Sequence, residues 1–167
     1  MPSGQVHAAC SIGLSAVCYG TILGFTGDNL LALSGATGCV LGILLTPDLD
    51  QKTLSSSENS LVRYTLGLGF LWVMLWYPYA SLIPHRSPLS HAPLIGTFGR
   101  LLYLAMILAI PAYFLGWNFG QIPPEIWQIV FYGVAGLAVS DFGHFVFDVT
   151  WSRIRPKRRK PRAFRLF

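Results

Sequence analysis

The sequence predicts an all-α integral membrane bundle of about four transmembrane helices, with one further interfacial or re-entrant segment. Three observations predict it. Hydrophobic residues make up 53% of the 167 residues and charged residues only 11%, against about 25% charged in ordinary soluble domains. The apolar residues come in long runs without the alternation of half-buried strands. Those runs are separated by short Gly/Pro/Asp/Asn signals that read as turns. One domain is the default at this length, taken here as a helical membrane domain over residues 1–152 and a basic tail over residues 153–167.

The first span is expected from Ala8 to about Thr26, long enough for a hydrocarbon core of roughly 30 Å. It lacks the basic lead of a signal peptide and is read as retained. Thr26-Gly27-Asp28-Asn29 marks a turn. Leu30 to Leu45 is the second and shorter span, ended by Thr46-Pro47. Gly20 and Gly24, and Gly38 and Gly42, are each four apart. Small residues at that spacing let helices approach closely in lipid, so the first two helices are expected to pack as a hairpin through them. Cys10, Cys18 and Cys39 lie inside these runs without CxxC or framework spacing, and read as small packing residues.

Gln51 to Ser60 is polar and serine-rich and reads as a loop. Leu61 to Ile83 is apolar enough for a span but carries Arg63, Trp72, Trp76, Tyr77, Pro78, Tyr79 and then Pro84. Clustered Trp and Tyr favour the headgroup level and prolines interrupt helices, so this segment is expected to lie in the interface or to dip in and return. Leu94 to about Leu115 and Ile126 to about Val149 are the remaining spans, joined by a loop containing Pro123-Pro124.

Charge supports four spans. Eight of the twelve Lys and Arg fall in the last fifteen residues. If Leu61 to Ile83 does not cross, all twelve lie on one side and the opposite loops hold only Asp28 and Glu125, which the positive-inside bias places at the cytoplasm. The location expected is an inner, plasma or thylakoid-type membrane. The tail, which interleaves Trp151, Phe164 and Phe167 with basic residues and carries Pro156 and Pro161, is read as an irregular membrane-surface anchor. No nucleic-acid partner is expected; membrane lipids are.

The same topology gathers the chemistry at one face. All four histidines, His7, His85, His91 and His144, lie at ends of apolar runs. His85-Arg86-Ser87-Pro88-Leu89-Ser90-His91 places two imidazoles six residues apart in a proline-bearing turn, with Ser87 and Ser90 available to cap the next helix. Pro47-Asp48-Leu49-Asp50 closes the second span with two carboxylates, one positioned to ligate and one to orient a histidine or cap a helix. Asp141, His144 and Asp148 are spaced i, i+3 and i+7, so they share one helical stripe. Ionisable groups inside membrane helices are functional candidates by default, although a buried Asp–His pair that only locks helices together is the competing reading. Imidazole and carboxylate ligands suit Zn, Mn, Fe or Ni. His7, Asp48, His85, His91, His144 and Asp148 are the candidate metal ligands, for one or two divalent ions. Asp50 and Asp141 are candidates for general base or for supporting carboxylates, and Arg86 for holding an anionic group.

With these residues in view, the chain resembles a family of uncharacterised small metal-binding membrane proteins of cyanobacterial type. The resemblance runs from Met1 to about Asp148. It rests on the MPSG lead up to His7, on PDLD at Asp48 and Asp50, on HRSPLSH, and on the His144 helix. More distantly it is similar to the YdjM-like, LexA-regulated, membrane-bound predicted metal-dependent hydrolases, which carry an HRG-x-THS form of the motif. Here Ser87-Pro88-Leu89 stands in place of Gly-x-Thr, and Ser follows neither histidine in the same way.

The resulting expectation is a metal-dependent hydrolase that uses metal-activated water on a lipid or other amphiphile at the membrane surface. The alternative is a membrane scaffold that holds metal without turnover. A lipid phosphatase is a third reading, since His144 and Asp148 give H-x-x-x-D, but Ala138-Val139-Ser140 lacks the Ser-Arg such enzymes need before it.

Overall fold

Hydropathy and capping chemistry divide the described residues into seven α-helices. A computed structural model of the protein describes residues 4–51, 54–84 and 87–154. Helix α1 spans Gly4–Thr26, α2 Asn29–Leu41, α3 Ser56–Tyr64, α4 Gly69–Leu82, α5 Pro88–His91, α6 Ile95–Phe114 and α7 Pro124–Ile154. All regular structure among the described residues is helical, including 3-10 turns at Pro47–Asp50 and Phe119–Gln121. Among the described residues, three stretches are long and apolar enough to cross a membrane: Gly4–Thr26, Ile95–Phe114 and Pro124–Trp151. Helix α2 is apolar but shorter, 13 residues or roughly 20 Å. Large apolar side chains cover the outside, among them Phe25, Phe98, Ile110 and Phe131, a surface compatible with a lipid environment.

Helices α1, α2 and α7 form one packed unit. Asp28 starts α2 by accepting hydrogen bonds from the amides of Leu30 and Leu31. The glycine seam differs from the expected one. A Cβ on Gly20 or Gly24 would meet nothing within 4 Å, so those glycines make no close helix contact. A Cβ on Gly38 would lie 1.8 Å from the carbonyl oxygen of Gly133, and one on Gly136 would lie 1.9 Å from that of Gly35. Gly38 of α2 therefore admits α7, which is distant in sequence, while α1 packs on α2 through Ile22 against Gly35 and not through Gly20 and Gly24. Gly38→Ala is expected to destabilise the fold by about 1–3 kcal/mol through overpacking, whereas Gly20→Ala should be neutral or slightly stabilising. Thermal unfolding in detergent micelles checks this pair, and equal melting temperatures would refute the seam.

The stretch from Leu61 to Ile83 is not one helix. Helix α3 ends at Tyr64, the chain reverses through Leu66 and Gly67 at positive φ, and α4 returns against α3. The break falls at Thr65–Leu68 and not at the proline, because Pro78 is accommodated inside α4. The Gln51–Ser60 loop is also shorter than expected. Ser55 and Glu58 form a capping box that starts α3 within it, a local signal that outweighs the polar composition. Helix α4 packs on the Pro47–Asp50 turn and on α6 through Leu49, Trp76, Tyr79 and Tyr103, and the Tyr103 hydroxyl donates to the Leu75 carbonyl.

The starts of α1 and α6 and the ends of α2 and α7 share one end of the molecule. The contacts described below fix this: His7 meets His144, and Thr97 and Arg100 meet Asp141. The α1–α2 turn and the α6–α7 loop lie at the other end. The residues after Ile154, with most of the basic tail, lie outside the described residues.

Candidate metal centre

The site is assembled by a ladder between the antiparallel helices α1 and α7. Gly143 lies against Leu14 and Cys10, and the hydroxyls of Ser11 and Ser140 are 2.8 Å apart. One helical turn further toward the end, His7 follows Ser11 and His144 follows Ser140. Their imidazoles stack with ring centroids 3.8 Å apart and an interplanar angle of 11°. Asp148, one turn beyond His144, presents its carboxylate to both rings. His7 Nε2 is 3.4 Å from Asp148 Oδ1, and His144 Nε2 is 3.6 Å from Asp148 Oδ2.

The donor atoms of His7, His144 and Asp148 lie within 4.8 Å of one another. Ligands bound at about 2 Å around one tetrahedral ion are roughly 3.3 Å apart, close to the two His–Asp separations. His7 Nδ1, His144 Nε2 and Asp148 Oδ1 are buried without a hydrogen-bond partner among the described residues. Such orphaned groups are costly unless something else satisfies them. The donor set, its spacing and its unmet bonding capacity therefore fit a divalent ion.

A second group adjoins it. The Pro47–Asp50 turn is held by Thr46, whose hydroxyl accepts from the Asp48 amide. Asp50 is fully buried and accepts a 2.6 Å hydrogen bond from the Ser90 hydroxyl. That hydroxyl is 2.9 Å from His91 Nδ1, which is 3.5 Å from Asp50 Oδ2. His91 Nε2 is 3.8 Å from Asp48 Oδ1, and the His91 and His144 rings meet edge to face with centroids 6.4 Å apart. The two carboxylates thus flank His91 at its two ring nitrogens, Asp50 at Nδ1 and Asp48 at Nε2. Burial disfavours the charged ring of His91, but hydrogen bonds to Asp48 and Asp50 outweigh it and hold its pKa up at about 9. Asp48, despite burial, is held below the usual carboxylate range by His91 and His144. A positive charge is favoured between these carboxylates.

Asp141 lies deeper in α7, in an ion pair with Arg100 of α6 and a hydrogen bond from the Thr97 hydroxyl. Arg100 Nη1 also donates to the Ser90 carbonyl, at 3.2 Å. That carbonyl sits over Gly96, where a Cβ would be only 2.1 Å from it. Arg100 and Thr97 are the residues that sequence reasoning missed. The available signal was electrostatic: Arg100 and Asp141 are opposite charges buried in separate apolar runs, and each needs a partner. Ser90 does not cap α6 as expected, since its hydroxyl is taken by Asp50 and His91. His85 and Arg86 lie outside the described residues.

A polar chamber of about 190 Å³ opens beside the stacked histidines, lined by His7, Ser11, Thr46, Asp48, Gln51 and His144 among others. Two of the three donors, His7 and His144, thus border a polar space. No curated protein and no solved structure matches the chain. The model of one family matches residues 2–158, and by that match the chain belongs to the family described as uncharacterized metal-binding protein (DUF2227).

Proposed function

We propose that this is an integral membrane, metal-dependent hydrolase acting on an amphiphile at the membrane surface. The observation that carries the reading is the three-donor cluster of His7, His144 and Asp148 opening on a polar chamber at one end of the apolar helices. His7, His144 and Asp148 hold the ion, with Asp48 and His91 beside it, and His85 is a further candidate ligand. A divalent ion there supplies Lewis acidity and lowers the pKa of water. Zn, Mn, Fe and Ni all suit the donor types.

The residues divide the remaining work by position. Asp48 lines the chamber and is the carboxylate placed to accept a proton from a reactant there. His91 is next to it, and Asp50 holds the His91 ring through Nδ1, leaving Nε2 toward Asp48. Asp141 is engaged by Arg100 and Thr97, so we assign it to positioning α6 against α7. Arg86 adjoins the α5 turn in sequence and is assigned to binding an anionic group of the substrate. Both termini and the site face the cytoplasm in this reading, with the basic tail on the anionic leaflet.

The test is turnover. Purified protein loaded with Zn or Mn is presented with amphiphilic carboxylic and phosphoric esters in mixed micelles. Hydrolysis that stops on chelation, and falls at least about 100-fold in Asp48→Asn while metal content is kept, is expected. Stoichiometric metal without turnover on either ester class would instead establish a metal-holding scaffold.

A further inference from the structure

Two apolar cavities flank the polar chamber. One, of about 310 Å³, is walled by Ala8, Ile43, Leu44, Leu61 and Tyr64, and shares Gly4, Ala8, Ile43 and Ser57 with the chamber. The other, of about 330 Å³, is walled by Leu49, Phe70, Val73, Met74 and Trp76, and shares Gln51 and Leu54 with the chamber. Helix α3 borders all three spaces: Ser57 faces the chamber and the first cavity, and Glu58 faces the second. Together they form a fork, with a polar junction at the metal donors and two apolar arms of similar size.

Resting on the proposed reading of the metal centre, we infer that the ligand of this site is a two-chain amphiphile, a diacyl lipid, whose polar junction occupies the chamber and whose acyl chains occupy one arm each. Three observations select that occupant. The chamber lies at the ends of the apolar helices, with His7 four residues into α1, so in the proposed membrane setting it falls near the level where headgroups join their chains. The arms are apolar and the junction is polar, as a diacyl lipid is and a single-chain detergent is only in part. The turn between α3 and α4 bears Tyr64, Leu66 and Leu68 at 82%, 98% and 71% exposure, an apolar edge through which a chain enters from the bilayer. A single chain would fill one arm and leave the other apolar cavity without an occupant.

The experiment is ligand binding to the whole purified protein, read by native mass spectrometry in detergent, with metal content measured in parallel. The probes are a diacyl phosphatidylglycerol and its one-chain lyso form. The two-chain probe is expected to bind at least about ten-fold more tightly. Ile43→Trp fills the first arm and Met74→Trp the second, and each should lower diacyl affinity to near that of the lyso form. Leu33→Trp, in the separate groove between α2 and α7, should not. Equal affinity of the wild type for the two probes would overturn the inference whatever the variants do. So would undiminished diacyl affinity in both arm-filling variants. The hydrolase reading fails separately: two-chain discrimination without ester turnover leaves this inference standing and removes the catalytic one.

Discussion

His144→Ala should strip the protein of tightly held metal. His144 is central to the donor set, stacked on His7 at 3.8 Å and 3.6 Å from the Asp148 carboxylate. Loss of a supporting partner of a ligand typically costs 10–100-fold in metal affinity, and loss of the ligand itself should cost about 100-fold or more. Elemental analysis of wild type beside the variant, after dialysis against a weak chelator, reads this directly. Ser11→Ala is the comparison: it breaks the adjacent hydrogen bond to Ser140 while leaving every donor, and should keep full metal. If His144→Ala retains wild-type stoichiometry, the ion is held elsewhere and the cluster is a structural lock between α1 and α7. Because ligand imidazoles must be neutral, protons compete with the ion and affinity should also fall as the pH is lowered.

The convergence of histidines and acids was legible because it followed from topology and needed no side-chain geometry. Once successive apolar runs reverse direction, run ends collect at two faces, and His7, Asp48, His91, His144 and Asp148 were all at run ends of one parity. The i, i+4 spacing of His144 and Asp148 was readable for the same reason. What could not be read was which donors meet. The sequence offers no sign that His7 stacks on His144 while His91 turns to Asp50, since that depends on the α1–α7 ladder of Ser11, Ser140 and Gly143. The glycine seam shows the same limit. Four-residue spacing marks a face that admits a close neighbour, but not which helix fills it, so Gly38 was legible as a contact and its partner Gly133 was not. Hydropathy averaging hid the break at Thr65–Leu68, where a glycine at φ +90° and a leucine at φ +52° reverse an otherwise continuous apolar run.

Arg100→Met is expected to be the most destabilising single change in the molecule. The guanidinium is 1% exposed and paired with Asp141, itself 4% exposed, so truncation leaves a carboxylate buried among apolar helices. Removing one partner of a buried pair typically costs about 3–5 kcal/mol, far more than the pair contributes over an apolar replacement. The double variant Arg100→Met with Asp141→Leu should therefore recover most of the loss, a non-additivity that separates an unpaired charge from lost packing. Arg63→Met, on the exposed face of α3, should change stability by less than about 0.5 kcal/mol. The double variant has a second consequence. Arg100 is the link from α7 to the Ser90 carbonyl, and Ser90 carries the hydroxyl that meets Asp50 and His91. A protein that regains its melting temperature without Arg100 should still hold the His91 turn loosely, and its metal affinity should stay lower by about 10–100-fold, the range for lost supporting partners. Unfolding in detergent micelles and metal titration on the same samples measure both. Full recovery of both in the double variant would confine Arg100 to neutralising Asp141, with no part in positioning the centre.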